Sequence, residues 1–217
     1  MNTNEISIEK MWTQLKIWPH LYKYKLSSNK MFMSVKIDLE NAYDRLNWNF
    51  VEKCLEDCNF LPKLIQVIHH CISSPSYKIL WNGEKTDSFV PSRGIRQGDP
   101  LSPYLFVICM EKLSHIIADQ VDACYWKPMR VGRYGPQISH LVFVDDLLLF
   151  AEASIEQAHC VLHCLDMFCQ ASGQQINYQK TQVFFSLRML IINSERIYYI
   201  IQGSLKLIVW ASILEQT

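Results

Sequence analysis

At 217 residues the chain has room for one large domain or two small ones. Its 49% hydrophobic and 19% charged composition is that of a globular protein and excludes a disordered one. Twenty-one basic residues offset 21 acidic ones, so net charge gives no support for binding on the scale of a nucleic-acid duplex.

The balance is uneven locally. Lys10, Lys16, Lys23, Lys25 and Lys30 face only Glu5 and Glu9 in residues 1–30, a basic arm that Lys36 extends toward Asp38, and acidic residues dominate from Asp38 to Asp57. The opening MNTNEISIEK has no apolar core, so no signal peptide is expected, and the eight cysteines read as free thiols in a reducing, intracellular compartment, cytoplasmic or nuclear. The stretch from Ile197 to Leu214 is apolar, but Gln202, Gly203 and Lys206 interrupt it and no membrane span is expected.

Trp12, Leu15 and Trp18 recur at helical spacing in the arm. The stretch from Met31 to Asp38 predicts a strand that ends on an aspartate. Asn47 is placed to cap a helix running to about Cys58, with Phe50, Val51, Cys54 and Leu55 inward. Pro62 opens the next helix, which carries Leu64, Ile65, Ile68 and Cys71.

Tyr77 to Trp81 followed by Asn82-Gly83 predicts a hairpin returning near Phe89. The glycine-bearing loop SRGIRQGDPLSP precedes a helix from about Pro103 to Asp119, and Met129 to Val131 is an edge-strand candidate. Ser154 with Gln157 forms a capping-box pattern, behind which Ile155, Ala158, Leu162, Leu165 and Cys169 repeat at helical spacing until Gly173. Gln182 to Ser186 is a last strand. Hairpins mixed irregularly with helices predict an α+β fold, an antiparallel sheet backed by helices.

The stretch HLVFVDDLLLF, from His140 to Phe150, encloses Asp145 and Asp146 between two apolar runs that read as buried strands. Aspartates so placed need turn exposure, a partner or a cation, because an unpaired charge is costly to desolvate. With Asp38 at another strand end, these carboxylates form a donor set for two Mg²⁺ ions, which take hard oxygen ligands and leave room for phosphate oxygens. Such a pair suits an in-line phosphoryl displacement.

Four blocks, KIDLENAYDRLNW, RGIRQGDPLSPYLF, ISHLVFVDDLLLFAEAS and FCQASGQQINYQKTQVFFS, resemble successive blocks of the reverse transcriptase palm, closest to plant LINE-type, non-LTR retrotransposons. The resemblance covers about 31–186. It implies a palm-like antiparallel sheet with incomplete fingers and no recognisable thumb, the 187–217 tail being apolar and divergent. It also implies an RNA-directed DNA polymerase that uses two Mg²⁺ ions, with Mn²⁺ as a substitute, an RNA template, a DNA primer and deoxynucleoside triphosphates (dNTPs).

Carried over by position, Asp38, Asp145 and Asp146 are the metal-binding carboxylates and the Leu39 carbonyl is a further metal contact. Tyr43 is the gate against a nucleotide 2′-hydroxyl. Gln97 and Gly98 line the nascent base pair and template, and Lys180 protonates departing pyrophosphate. Val144 departs from the alanine or methionine commoner before the paired aspartates. The competing reading is a catalytically inactive retrotransposon remnant with at most weak nucleic-acid binding.

Other residues have plainer readings. Asp44 and Arg45 suit a cap or ion pair at a helix start. His159, Cys160, His163 and Cys164 have the types for zinc, but lie on two adjacent helical stripes that do not converge. Cys54, Cys58, His69, His70 and Cys71 fare no better.

Overall fold

A computed structural model describes residues 31–130, 134–143 and 146–185, together with Ile197, Ile200 and Ile201. The helical reading of the arm and the nature of the 187–217 tail therefore lie outside the described residues, apart from those three isoleucines. The chain divides into two compact units: residues 1–38, 116–164 and 177–217 in the first, and 39–115 and 165–176 in the second.

The first unit is organised by a four-stranded sheet. Its strands are β1 (Phe32–Ile37), β6 (His140–Phe143), β7 (Asp146–Glu152) and β8 (Gln182–Phe185). They lie in the order β6-β7-β1-β8, with every pairing antiparallel. The predicted strand at Met31–Asp38 is thus β1, and the apolar runs flanking the aspartates are β6 and β7.

Alternation along β1 turns Met33, Val35 and Ile37 to one face, where each is 1% exposed. Their partners on β7 are Ala151, Leu149 and Leu147, and on β8 Phe185 and Val183 fall on the same side. The opposite face is also covered. Leu148 and Phe150 are buried there with Met129, and Phe32, Ile138 and Leu141 pack against them. Coverage on both faces explains why Leu147 to Ala151 is an unbroken buried run rather than an alternating one.

Met129 and Ile138 come from a small antiparallel ribbon, β4 (Met129–Arg130) paired with β5 (Gln137–Ile138). The edge-strand reading of this segment resolves into that separate ribbon, and Val131 lies outside the described residues. The indole N–H of the buried Trp126 donates to the Phe150 carbonyl at 3.0 Å, tying the approach to β4 onto β7.

The second unit is helical. Asn47 caps α2 (Trp48–Asp57), its side chain accepting from the Asn49 N–H, and Phe50, Val51, Cys54 and Leu55 are buried as the spacing predicts. It follows α1, a single turn (Ala42–Arg45). In α3 (Pro62–Ser73) Ile65 and Ile68 are buried, whereas Leu64 and Cys71 are exposed, so its inner stripe is narrower than expected. The hairpin of β2 (Leu80–Trp81) and β3 (Glu84–Lys85) turns through Asn82 and Gly83, both at positive φ, with Tyr77 bridged to Phe89.

The helices α4 (Ser102–Asp122) and α5 (Ile155–Ser172) contribute turns to both units. Two expectations for α5 need correction. Its buried stripe is Ala158, Val161, Cys164, Leu165 and Phe168, while Leu162 and Cys169 are only half-buried. The capping box is half formed. The Gln157 N–H donates to Ser154 Oγ, but the Gln157 side chain accepts from the Lys127 N–H and donates to the Tyr125 carbonyl, both at 2.7 Å.

That side chain satisfies two backbone groups of another segment from a buried position, and each would be left without a partner by truncation. Gln157→Ala is expected to destabilise the protein by about 2–4 kcal/mol, the cost of two unmet hydrogen-bonding groups. Urea unfolding measures it, and a loss no greater than that of an ordinary surface substitution would refute the assignment.

Candidate active site

The first unit holds Asp38, Asp146 and Lys180. The β1–β7 register runs from Phe32 opposite Glu152 to Ile37 opposite Leu147. Asp38 follows Ile37 and Asp146 precedes Leu147, so the two aspartates flank the last pair of the ladder at the same end of it. Both carboxylates are half-buried. Asp146 is the first residue of β7 and pairs with Phe143, so it belongs to the ladder. Asp145 and Val144 lie outside the described residues.

Among the described residues no group of three His, Cys, Asp or Glu is placed to hold a metal. Asp38 follows β1 and Asp146 opens β7, and both carboxylates are oxygen donors of the kind that a hard divalent cation takes.

Lys180 is exposed, in a turn between Asn177 and β8. Its backbone N–H donates to the Asn177 carbonyl and side-chain oxygen, at 3.1 and 3.2 Å. The Asn177 N–H in turn donates to the Asp38 carbonyl at 2.9 Å. The turn that bears the lysine is therefore fastened to the strand end that bears the aspartate.

The second unit holds Leu39, Tyr43, Gln97 and Gly98. The Leu39 side chain is buried, and the residue forms an isolated bridge with Ile176. Beside it the Glu40 N–H donates to the Gln175 carbonyl at 2.8 Å.

Tyr43 lies in α1, which starts from Asn41 at a left-handed φ of 48°. Its ring stacks on Phe106 of α4, with centroids 4.8 Å apart and planes 13° from parallel. An aromatic ring held flat against a buried neighbour is a firm wall.

Gln97 and Gly98 are exposed and form the middle of a turn closed by the Asp99 N–H donating to the Arg96 carbonyl. Gly98 has φ +86° and nothing within 4 Å of where a Cβ would be. Its positive φ meets the demand of the third turn position, and its openness leaves backbone free for close approach. The Asp99 carboxylate then accepts from the Leu101 N–H at 2.8 Å, at the start of α4.

Gly94 is the residue sequence reasoning passed over. It has φ +90°, and a Cβ there would stand 2.6 Å from the Asp44 carbonyl oxygen. Its N–H donates to the Leu46 carbonyl, the next N–H (Ile95) donates to the Tyr43 carbonyl, and its own carbonyl accepts from Trp48 Nε1 at 2.7 Å. Gly94 thus locks the loop of Gln97 and Gly98 onto the turn of Tyr43. The signal was the RG pair in SRGIRQGD, but its meaning depends on a contact across fifty residues. On the other side, Gln174 Nε2 donates to the Ala42 carbonyl and the Asn47 N–H to the Ser172 carbonyl.

Arg45 pairs with Glu40 at 3.1 Å, which fits the plain reading of the helix start, although Asp44 is not the partner. The zinc candidates separate: His159 and His163 are exposed while Cys164 is buried. Burial pushes the Cys164 thiol up to about 12 and Cys169 to about 11, so both stay protonated near neutrality.

Two outcomes follow. Gly94→Ala is expected to cost more than about 2 kcal/mol, since positive φ and a backbone clash combine, whereas Gly98→Ala meets only the strain of positive φ, about 1 kcal/mol. Denaturation midpoints would rank the two, and equal losses would refute the close-approach argument. A thiol reagent at about pH 8 should label the exposed Cys58, Cys71 and Cys124 of the folded protein and spare the buried Cys54, Cys109 and Cys164, as read by mass spectrometry.

Comparisons with known proteins agree with this architecture. The chain matches the family described as "Reverse transcriptase (RNA-dependent DNA polymerase)" over residues 4–202, beyond the 31–186 stretch of the four blocks at both ends. It is 46% identical over 65 residues to an uncharacterised mitochondrial protein of Arabidopsis thaliana, covering 30% of this chain and 53% of that protein. It is 26% identical over 175 residues to the Pol polyprotein of the type-2 retrotransposable element R2DM of Drosophila melanogaster, covering 79% of this chain. A Pol polyprotein of the type-1 element R2 of Popillia japonica is 24% identical, over 74% of this chain.

The chain spans 14% of the Drosophila protein and 25% of the Popillia one. Among solved structures, apo telomerase from Candida tropicalis truncated from its C-terminal domain superposes with a TM-score of 0.58 at 19% identity, over 86% of this chain and 36% of that one. Telomerase of the same organism in complex with a fragment of telomeric RNA gives 0.59 at 18%, over 87% and 30%. These likenesses establish a palm-like fold of mixed helix and antiparallel sheet. With the family match running across nearly the whole sequence, the chain belongs to the reverse transcriptase family.

Proposed function

We propose that this chain is the palm of an RNA-directed DNA polymerase, transferring a nucleotidyl group from a dNTP to a primer 3′-hydroxyl on an RNA template. The observation that carries the reading is the β1–β7 pairing, at one end of which β1 runs out into Asp38 and β7 begins at Asp146. Asp38, Asp145 and Asp146 would hold two Mg²⁺ ions, with the Leu39 carbonyl as a further oxygen; Mn²⁺ satisfies the same donor set. When bound, the ions supply charge neutralisation at the attacking and leaving oxygens.

The remaining roles belong to the chain's own groups. Tyr43, braced by Phe106, sets a wall where a nucleotide 2′-hydroxyl would otherwise fit, selecting deoxynucleotides by exclusion. Gln97 offers a side-chain amide toward the nascent base pair, and Gly98 leaves its backbone bare for the template. The Lys180 ammonium, drawn to polyphosphate, donates a proton to departing pyrophosphate. Among the described residues no helix is long and apolar enough to cross a membrane.

Primer extension on a poly-rA template with Mg²⁺ tests the reading. The unaltered chain should make template-dependent DNA, and Asp145→Asn and Asp38→Asn should each reduce synthesis by at least about a hundredfold, the scale of losing a group that acts only in the transition state. Equal synthesis by the variants would sink the metal assignment. A folded chain with no synthesis at all would favour an inactive retrotransposon remnant.

A further inference from the structure

The route from Asp38 to β8 contains an irregularity that the polymerase reading leaves unexplained. Lys36 pairs with Gln182, and the Asn177 N–H donates to the Asp38 carbonyl. One residue, Ile37, separates Lys36 from Asp38, whereas four, 178–181, separate Asn177 from Gln182. Three residues are in excess, and they leave the ladder as the turn Tyr178–Lys180. An excursion of this size in an otherwise paired segment is a built feature that re-aims a side chain.

One residue closes it. The Asn177 carbonyl accepts from the Lys180 N–H at 3.1 Å and from both the N–H and the Oγ1 of Thr181 at 2.9 Å. The Asn177 side-chain oxygen accepts a further bond from the Lys180 N–H at 3.2 Å, the local turn that asparagine makes more readily than other residues. The same residue's N–H holds the Asp38 carbonyl. Asn177 is thus the single point at which the backbone of Lys180 and the backbone of Asp38 are both tied. The Lys180 ammonium itself makes no ion pair among the described residues.

We propose that Asn177 is a positioning residue: it closes the three-residue excursion against the Asp38 strand end, and so fixes where the Lys180 ammonium meets the triphosphate of a bound nucleotide. The claim rests on the polymerase reading. Asn177 touches neither substrate nor metal in this account; it acts through the lysine. An alanine keeps the backbone bonds but loses the side-chain acceptor, and the turn is then free to wander. A serine keeps a shorter acceptor of the same kind, weaker in the same role.

Isothermal calorimetry of Mg²⁺·dTTP binding to the folded chain tests this without requiring turnover. Lys180→Ala should weaken binding about tenfold or more, the scale of one charge-assisted hydrogen bond. Asn177→Ala should lose a similar factor, the double variant should lose no more than Lys180→Ala alone, and Asn177→Ser should recover part of the affinity. Far-ultraviolet dichroism and thermal unfolding show whether each variant is folded.

Multiplying losses in the double variant, or an Asn177→Ala chain that binds as well as the unaltered one, would overturn the positioning role while leaving the polymerase reading in place. No recovery by a folded Asn177→Ser chain that matches the alanine variant would do the same. A folded, unaltered chain that does not bind Mg²⁺·dTTP would overturn both.

Discussion

The ladder between β1 and β7 is the constraint on which the rest of the first unit hangs. Six successive residue pairs, from Phe32–Glu152 to Ile37–Leu147, fix which side chains face which side. A slip of one residue would send Met33, Val35 and Ile37 away from Leu147, Leu149 and Ala151. Burying a side chain of this size stabilises by about 1.5–3 kcal/mol. A slipped register would expose several at once, so the hydrophobic rows police the placement of the charges. The carboxylates sit where the pattern ends, and they are tolerated because the apolar rows around them leave no alternative.

The second unit solves a different problem with main-chain contacts rather than area. The short segment from Ala42 to Asn47 offers the carbonyls of Ala42, Tyr43 and Leu46 to donors arriving from Gln174, Ile95 and Gly94. A single helical turn cannot satisfy its own ends, since the first N–H groups and last carbonyls of any helix lack internal partners. Here the orphans are met by two other segments, which fasten to the turn. Two glycines make the approaches possible. A Cβ at Gly94 would meet Asp44, and one at Gly173 would stand 2.9 Å from the Arg45 carbonyl oxygen. Proximity of backbone to backbone gives Tyr43 a rigid base, and the stack on Phe106 then fixes its ring.

Much of this was legible in the sequence, and the parts that were not share a cause. The strand at Met31–Asp38, the Asn47 cap, the Asn-Gly hairpin and the apolar runs flanking the aspartates all follow from local pattern, and the structure has each of them. The stripe of α5 was misjudged by about one residue because Val161, Leu162, Cys164, Leu165, Phe168 and Cys169 offer apolar character on more than one side. Periodicity cannot choose between adjacent stripes there; packing does. Gln157 has the right spacing for a capping box, yet its amide serves Lys127 and Tyr125, which no local rule foresees. Gly94 and the excursion at Lys180 depend likewise on segments distant in sequence. The residue types of the candidate site were readable from the four blocks, whereas the means of holding them was not.

The three-residue excursion before β8 has one more consequence. Among the described strands β8 and β6 are the edges of the sheet, and an edge presents unpaired donors and acceptors to any passing strand. Had residues 177–185 continued as one straight strand, that edge would be long, flat and rich in Tyr and Phe, well suited to template self-association. The detour holds the start of β8 at Gln182 and breaks the edge with a turn ending in an exposed lysine. Sequences that straighten this turn would gain a longer edge and, with it, a surface on which copies of the chain could pair.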